Sequence, residues 1–200
     1  MIIALSGPSG IGKGFVKDSL REIYPSIEEI VWYTTRELRP NELAPNSNRQ
    51  HISEETLAKM SEDGELALIQ GMFGHRYAVK KQDLVNETGV FLTEIHPYVI
   101  KEAKEINPNI ISIGLVTDDF DLLKERLVYR RKTESIDEID KRIQSAKAEV
   151  GAIRNNLDYY NEIIEIARDN EHLIANIAQK MFAEYKKEGD LYAEDSSRQS

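Results

Sequence analysis

Ile2-Ile3-Ala4-Leu5-Ser6-Gly7-Pro8-Ser9-Gly10-Ile11-Gly12-Lys13-Gly14-Phe15 stands almost at the start of the chain. Ile2 to Leu5 is an apolar run too short for a helix and reads as a buried strand. A helix follows from about Lys13 to Tyr24. Phe15, Val16, Leu20 and Ile23 form its apolar stripe, and Pro25 marks its end. Between strand and helix lies Gly7-x4-Gly12-Lys13, the context in which a phosphate-binding loop works. Glycines let the backbone wrap close to an oxyanion. Successive N–H groups and the helix N-terminus then face it. Gly7, Ser9, Gly10, Gly12, Lys13 and Gly14 are the candidate phosphate contacts, with Lys13 adding a point charge near the terminal phosphates. The rival interpretation is a glycine turn beside a surface lysine. Gly14 stands where a Ser or Thr hydroxyl usually touches Mg2+. Mg2+ keeps several waters in such sites, so waters and phosphate oxygens are expected to hold it without a direct protein ligand. Phe15 reads as core.

The 200 residues suit one domain with a mobile lobe. Hydrophobic residues make up 40% and charged residues 30%, the balance of an ordinary globular protein. A net charge of -9 argues against a general nucleic-acid or membrane-surface binder. It leaves nucleotides open, because a nucleotide site needs only local positive charge. With no cysteine there is no disulfide framework and no thiolate metal site. His51, His75, His96 and His172 show no metal-ligand spacing. No apolar run approaches about 18 residues, and the N-terminus lacks a basic leader, so a cytoplasmic protein is expected.

Beyond the first helix, Ile27 to Thr35 reads as one strand, and Arg36 to Arg49 as an exposed polar loop with Pro40 and Pro45. Ser53 caps a short helix that Gly64 closes. Strands are expected at Leu66 to Met72, Arg76 to Val79, Val90 to Ile95, Ile110 to Val116 and Ile163 to Ile166. Helices are expected near Gln82 to Glu87, Pro97 to Ile106, Asp119 to Arg131 and Glu171 to Lys187. The clearest periodicity is Ile136, Ile139, Ile143, Ala146, Val150, Ile153 and Leu157, opened by a Ser135/Glu138 capping box. That stripe predicts a long helix packed on the body; its alternative is a coiled coil, and with it a homodimer. Strands and helices alternate throughout, so a mostly parallel α/β sheet flanked by helices is the economical fold.

Two more segments carry a resemblance. Thr34-Thr35-Arg36-Glu37-Leu38-Arg39-Pro40-Asn41-Glu42 fits TTRxxRxxE. Arg126-Leu127-Val128-Tyr129-Arg130 is followed by Thr133-Glu134, Ile139, Arg142, Ala146 and Glu149. With the glycine loop, in this order, they resemble the guanylate kinase family over about residues 1 to 187. The resemblance implies a P-loop nucleoside-monophosphate-kinase-like fold using ATP and Mg2+. It implies a core (1–33 and 90–187), an acceptor-binding lobe (about 34–89), a lid (about 130–145) and a polar tail (188–200). By position, Arg36, Arg39 and Tyr77 match the groups that hold the acceptor phosphate. Arg130 and Arg142 match lid arginines that close over the transferring group beside Lys13. Glu94 matches one of two acidic residues, the second being His96 here, and stands as a contact to the acceptor or to metal-bound water. Nucleotide and a small phosphorylated acceptor are the implied partners, with no nucleic acid and no membrane.

The departures gather at the acceptor. Asn41 replaces a glycine, and Asn48-Arg49-Gln50-His51-Ile52 lacks an expected tyrosine, which Arg49 is placed to replace as a phosphate contact. The guanine-reading glutamate falls at Leu68, and two serines fall at Val79 and Trp32. Leucine, valine and tryptophan do not pair guanine's N1–H and N2–H2 donors; a shifted register would offer Glu65 or Gln70. Three expectations therefore stand together: a kinase for GMP or dGMP, a kinase for an acceptor without guanine such as ribose 1,5-bisphosphate, and a guanylate-kinase-like binding module.

Overall fold

The computed structural model describes residues 1–44, 47–86, 88–130, 134–168 and 183. The expected helix at Glu171 to Lys187, apart from Ala183, and the polar tail lie outside the described residues, as does Thr133.

Strand β1 (Ile2–Ser6) is the centre of a five-stranded parallel sheet. Its neighbours are β7 (Phe91–Glu94) and β8 (Ile111–Val116); β2 (Glu28–Glu29) and β9 (Glu162–Glu165) lie at the edges, in the order β2-β7-β1-β8-β9. Alternation along a strand sends successive side chains to opposite faces. Ile3 and Leu5 pack with α1 (Lys13–Ile23), α4 (Phe120–Arg130) and α5 (Ile136–Arg154) through Val16, Leu20, Leu123, Leu127, Ile139, Ile143 and Ala146. Ile2 and Ala4 go the other way, to α3 (Ile100–Ile106) and the base of a second sheet. Both faces are covered, which is why β1 reads as an apolar run from Ile2 to Leu5 and β8 is buried along its whole length, Ser112 included. The α/β architecture matches the expectation.

The second sheet has four strands in the order β4-β3-β6-β5. They are β3 (Trp32–Thr34), β4 (Arg49–His51), β5 (Leu66–Met72) and β6 (His75–Lys80). Helix α2 (Glu54–Glu62), capped by Ser53 as its sequence indicates, covers one side through Leu57. A two-residue turn with positive φ at Phe73 and Gly74 (51° and 79°) joins β5 to β6.

Several expectations change. The predicted strand at Ile27 to Thr35 is two strands in two sheets. The Ile30 amide still bonds Leu92 of the parallel sheet, whereas the Trp32 amide bonds Asn48 of the second. A period of two looks the same in either sheet, so the crossover leaves no mark in the pattern. The stretch 36–49 holds a 3-10 turn (Pro40–Glu42) and the start of β4 rather than open loop. Of the helix expected at 82–87, the described residues 82–86 give a 3-10 turn, Lys81–Leu84, and residue 87 lies outside the described residues. Phe15 is 52% exposed, not core: Val16, Ser19 and Leu20 hold the buried face of α1, and Ile23 is also exposed. On α5 the buried stripe runs from Ile139 to Ile153, while Ile136 and Leu157 are exposed.

Candidate active site

The loop after β1 gets its shape from glycine. Gly7 has φ 146°, and a Cβ there would meet the Leu115 carbonyl oxygen at 2.6 Å, so no larger residue fits. Gly12, at φ 120°, is the residue before α1 and brings no capping side chain; no acidic residue sits in the first turn. The first N–H groups of α1 therefore keep their capacity for an anion. From the far side, Arg126 of α4 donates to the Gly10 and Ile11 carbonyls, both at 3.2 Å, and braces the loop. Lys13 Nζ donates to the carbonyls of Gly7 (2.6 Å) and Pro8 (3.1 Å) and lies 3.7 Å from Glu94.

Beside this loop a cleft of about 360 Å³ opens between the parallel sheet and the second sheet. Gly7, Ser9, Lys13 and Glu94 line its core side; Arg36, Arg39 and Tyr77 line the opposite side, and Arg142 of α5 reaches its rim. Eight of the sequence-assigned residues thus share one cavity. Gly10, Gly12 and Gly14 belong to the loop and first helical turn but do not line the cavity, and Arg130 is exposed at the end of α4, away from it.

Several of the charged groups here are held by close partners. Arg36 pairs with both Glu42 oxygens (3.0 and 2.8 Å), while the Arg39 amide donates to Glu42 at 2.9 Å. Burial alone would raise the Glu42 pKa; the Arg39 amide and the Arg36 guanidinium outweigh it and keep the carboxylate charged. Arg142 forms a two-bond pair with Glu134 (2.7 and 2.9 Å), and its guanidinium lies 4.8 Å from the centre of the Phe73 ring. Phe73 is a bulky residue in the left-handed region at the cleft's edge, a strained conformation of the kind that collects at functional sites. Glu94, at the end of β7, touches Lys17 at 2.9 Å. Burial would push its carboxyl up, yet Lys13, Lys17 and Arg49 hold it down at about 2. Beyond it, His96 Nε2 lies 3.7 Å from Glu149, which also accepts from Ser145 Oγ at 3.0 Å.

Sequence reasoning gave no role to Lys17, Glu42 or Glu149. Lys17 carried a signal, since it stands four residues after Lys13 and so on the same helix face. Glu149 had one too: a carboxylate next to Val150 on an apolar stripe is 9% exposed and needs partners.

The base-reading positions behave differently. Trp32, Leu68 and Val79 meet in one apolar cluster at 1%, 0% and 0% exposure. The indole N–H is committed to Thr93 Oγ1 at 2.9 Å. A bulge between Ala67 and Gln70 puts Leu68 at φ 53°, where its amide bonds Glu102 of α3. Gln70 emerges beyond the bulge on the cleft wall, opposite Tyr77 in the ladder. Glu65, the other shifted candidate, does not line the cleft.

No family model matches the chain. Guanylate kinase of Clostridioides difficile (strain 630) is 31% identical over 187 residues, covering 90% of this chain and 90% of that protein. Guanylate kinase of Streptococcus pneumoniae (strain ATCC BAA-255 / R6) is 33% identical over 180 residues, covering 84% and 83%. The chain belongs to the guanylate kinase family. As a member, it is a nucleoside-monophosphate-kinase-like phosphotransferase. A crystal structure of guanylate kinase from Anaplasma phagocytophilum shares the fold, with a TM-score of 0.65 at 21% identity over 92% of this chain and 85% of that one. Among the described residues no helix is long and apolar enough to cross a membrane, and no group of three or more His, Cys, Asp or Glu is placed to hold a metal ion.

Proposed function

We propose that this chain transfers the γ-phosphoryl group of ATP to a phosphate ester. The observation that carries the reading is the single cleft shared by Lys13, Arg36, Tyr77 and Arg142, which come from four separate segments. Phosphoryl transfer asks a protein for position and charge neutralisation more than for covalent chemistry. The glycine loop and the N-terminus of α1 suit the ATP phosphates. Lys13 exchanges its two carbonyl contacts for phosphate oxygens. Arg36 and Arg39, with the Tyr77 hydroxyl, hold the acceptor phosphate, their fork geometry matching its oxygens. Arg142 leaves or shares Glu134 to meet charge on the transferring group, and Arg130 joins it only if the end of α4 moves toward the cleft.

The donor set fits Mg2+ through water. Gly14 offers no hydroxyl, and Glu94, ionised at any working pH, faces the cleft as an acceptor for metal-bound water. Mg2+, when bound with ATP, supplies charge neutralisation across the terminal phosphates.

The names of the relatives bring GMP and dGMP as the first acceptors to test. A second reading, an acceptor that is not recognised through guanine, is favoured by the burial of Trp32, Leu68 and Val79. A pure binding module has no use for an intact phosphate loop with Lys13. The test is ADP release from ATP and Mg2+ with GMP, dGMP, the other nucleoside monophosphates and ribose 1,5-bisphosphate, for the wild type and Lys13→Ala. Turnover with at least one acceptor is expected, with kcat in Lys13→Ala down roughly 10²–10³-fold and the fold unchanged by circular dichroism. Equal activity in Lys13→Ala would remove the role given to that residue.

A further inference from the structure

We propose that Arg49, its guanidinium over the Trp32 ring, forms a second anion seat in the acceptor cleft, and that the acceptor carries a second phosphoryl group that this seat recognises in place of a guanine edge. The inference rests on the phosphotransferase reading above for the transfer itself, but not for the binding.

Three observations lead to it. First, the three positions where a base edge would be read contribute no hydrogen-bonding group to the cleft: Leu68 and Val79 are core, and the Trp32 N–H is spent on Thr93. Second, β4 pairs with β3 in the register Trp32↔Arg49, which sets the arginine directly beside the indole. Its guanidinium lies 5.8 Å from the ring centre and lines the cleft. Stacking on an indole fixes a guanidinium in place while its N–H edge stays open to a ligand. Third, the charges do not balance there. Arg36 has Glu42, Arg142 has Glu134, and Lys13 has two carbonyls and Glu94. Among the described residues, Arg49 has no carboxylate within 4.0 Å and its side chain donates no hydrogen bond. Arg49 acts on Glu94 only from beyond 4.0 Å, so this half-buried guanidinium keeps its N–H donors for an anion in the cleft.

The spacing suits two anions on one small molecule. Thr34 pairs with Tyr77 on one side of β3 and Trp32 with Arg49 on the other, so the two seats start roughly 12 Å apart at the backbone, two residues along β3 and two strand spacings across it. The flexible Arg49 and Arg36 side chains adjust that span. In the reaction, an oxygen of the acceptor phosphate at Arg36, Arg39 and Tyr77 bonds to the γ-phosphorus. The bond from that phosphorus to the β–γ bridging oxygen breaks, its electron pair leaves with ADP, and the second phosphoryl group at Arg49 is unchanged.

The experiment compares acceptors matched except for the second phosphate: ribose 5-phosphate with ribose 1,5-bisphosphate, and GMP with guanosine 3′,5′-bisphosphate. ADP release is followed for the full chain and for Arg49→Ala and Arg49→Lys. In at least one pair the bisphosphate should have a kcat/KM roughly 10–100-fold higher, as expected for one charged hydrogen-bonded contact. Arg49→Ala should erase that advantage through KM and leave the monophosphate within about twofold; Arg49→Lys should keep part of it. The pair that responds tells a sugar from a nucleotide acceptor. Two results would overturn the proposal: GMP used as well as every bisphosphate with no change in Arg49→Ala, or an equal loss for both members of each pair, which would put Arg49 on the single acceptor phosphate. Calorimetric binding of the same pairs without ATP separates the two claims. A bisphosphate preference in binding that Arg49→Ala abolishes, with no turnover of any acceptor, upholds the seat and sinks the transfer reading.

Discussion

Glu94→Gln removes the one carboxylate that both Lys13 and Lys17 face from the end of β7. The side chain is 25% exposed, so its interactions are only partly screened. Its carboxyl is depressed from 4.5 to about 2 despite the burial that opposes ionisation. At 1.36 kcal/mol per pK unit, that gap corresponds to about 3 kcal/mol of folding stability. The sign follows from the depression. The contribution is complete above the unfolded value of 4.5 and is lost as pH falls from there through the folded value of about 2. By linkage, about 2 kcal/mol should remain at pH 3.5. Urea unfolding of wild type and Glu94→Gln at pH 7 and pH 3.5 measures both quantities. The mutant should be less stable by about 3 kcal/mol at pH 7, a fall in Tm of roughly 6–12 °C for a chain this size, with the difference narrowing at the lower pH. Lys17 keeps Glu29 at 3.0 Å, which limits the damage to the Glu94 contacts themselves. A difference below about 1 kcal/mol at pH 7, or one that does not narrow, would refute the view that Glu94 is held ionised by the two lysines.

Two further outcomes test the site. A Cβ at Gly14 meets nothing within 4 Å, so Gly14→Ser should fold at least as well as wild type, because serine is the better helix former by about 0.5 kcal/mol. If the missing hydroxyl limits metal binding, the Mg2+ concentration for half-maximal ADP release should drop several-fold, and an unchanged Mg2+ dependence would reject that explanation. Arg39→Ala should raise the acceptor KM roughly 10-fold, the value of one charged hydrogen bond, while the ATP KM stays within about twofold; a change confined to ATP would move Arg39 to the other substrate.

What could be read from the sequence was what short range decides. Ile2 to Lys13 announces strand, loop and helix because each signal lies within a few residues of the next, and all three elements appear. Ser135 and Glu138 mark the start of α5 because a capping box is local. The buried face of α5 follows from spacing, but its ends do not: Ile136 sits beyond the packed body, and nothing in its own neighbourhood says so. Phe15 fails for the same reason, lying one residue off the line of Val16, Ser19 and Leu20. The crossover at Ile30 to Trp32 was invisible because it depends on partners, Leu92 and Asn48, far along the chain.

The site divides along the same line. Arg36, Arg39, Tyr77, Lys13 and Arg142 were found because their residue types recur in a pattern, and they converge on one cleft. Trp32, Leu68 and Val79 carry no such pattern, and a slip of one residue in a strand would scatter them over opposite faces. They meet instead in one cluster despite lying 36 and 11 residues apart in sequence. That convergence gives the three positions a common sense under the second reading: apolar side chains, each tolerable alone in a polar pocket only at a cost in unpaired groups, together leave this wall of the cleft without groups to pair a base. Arg49 could not be valued the same way. Its weight comes from a three-residue strand paired in parallel to Trp32 and from the lack of a carboxylate within reach among the described residues. Both are long-range facts, and both bear on the proposed exchange of hydrogen bonds to a base for a positive charge.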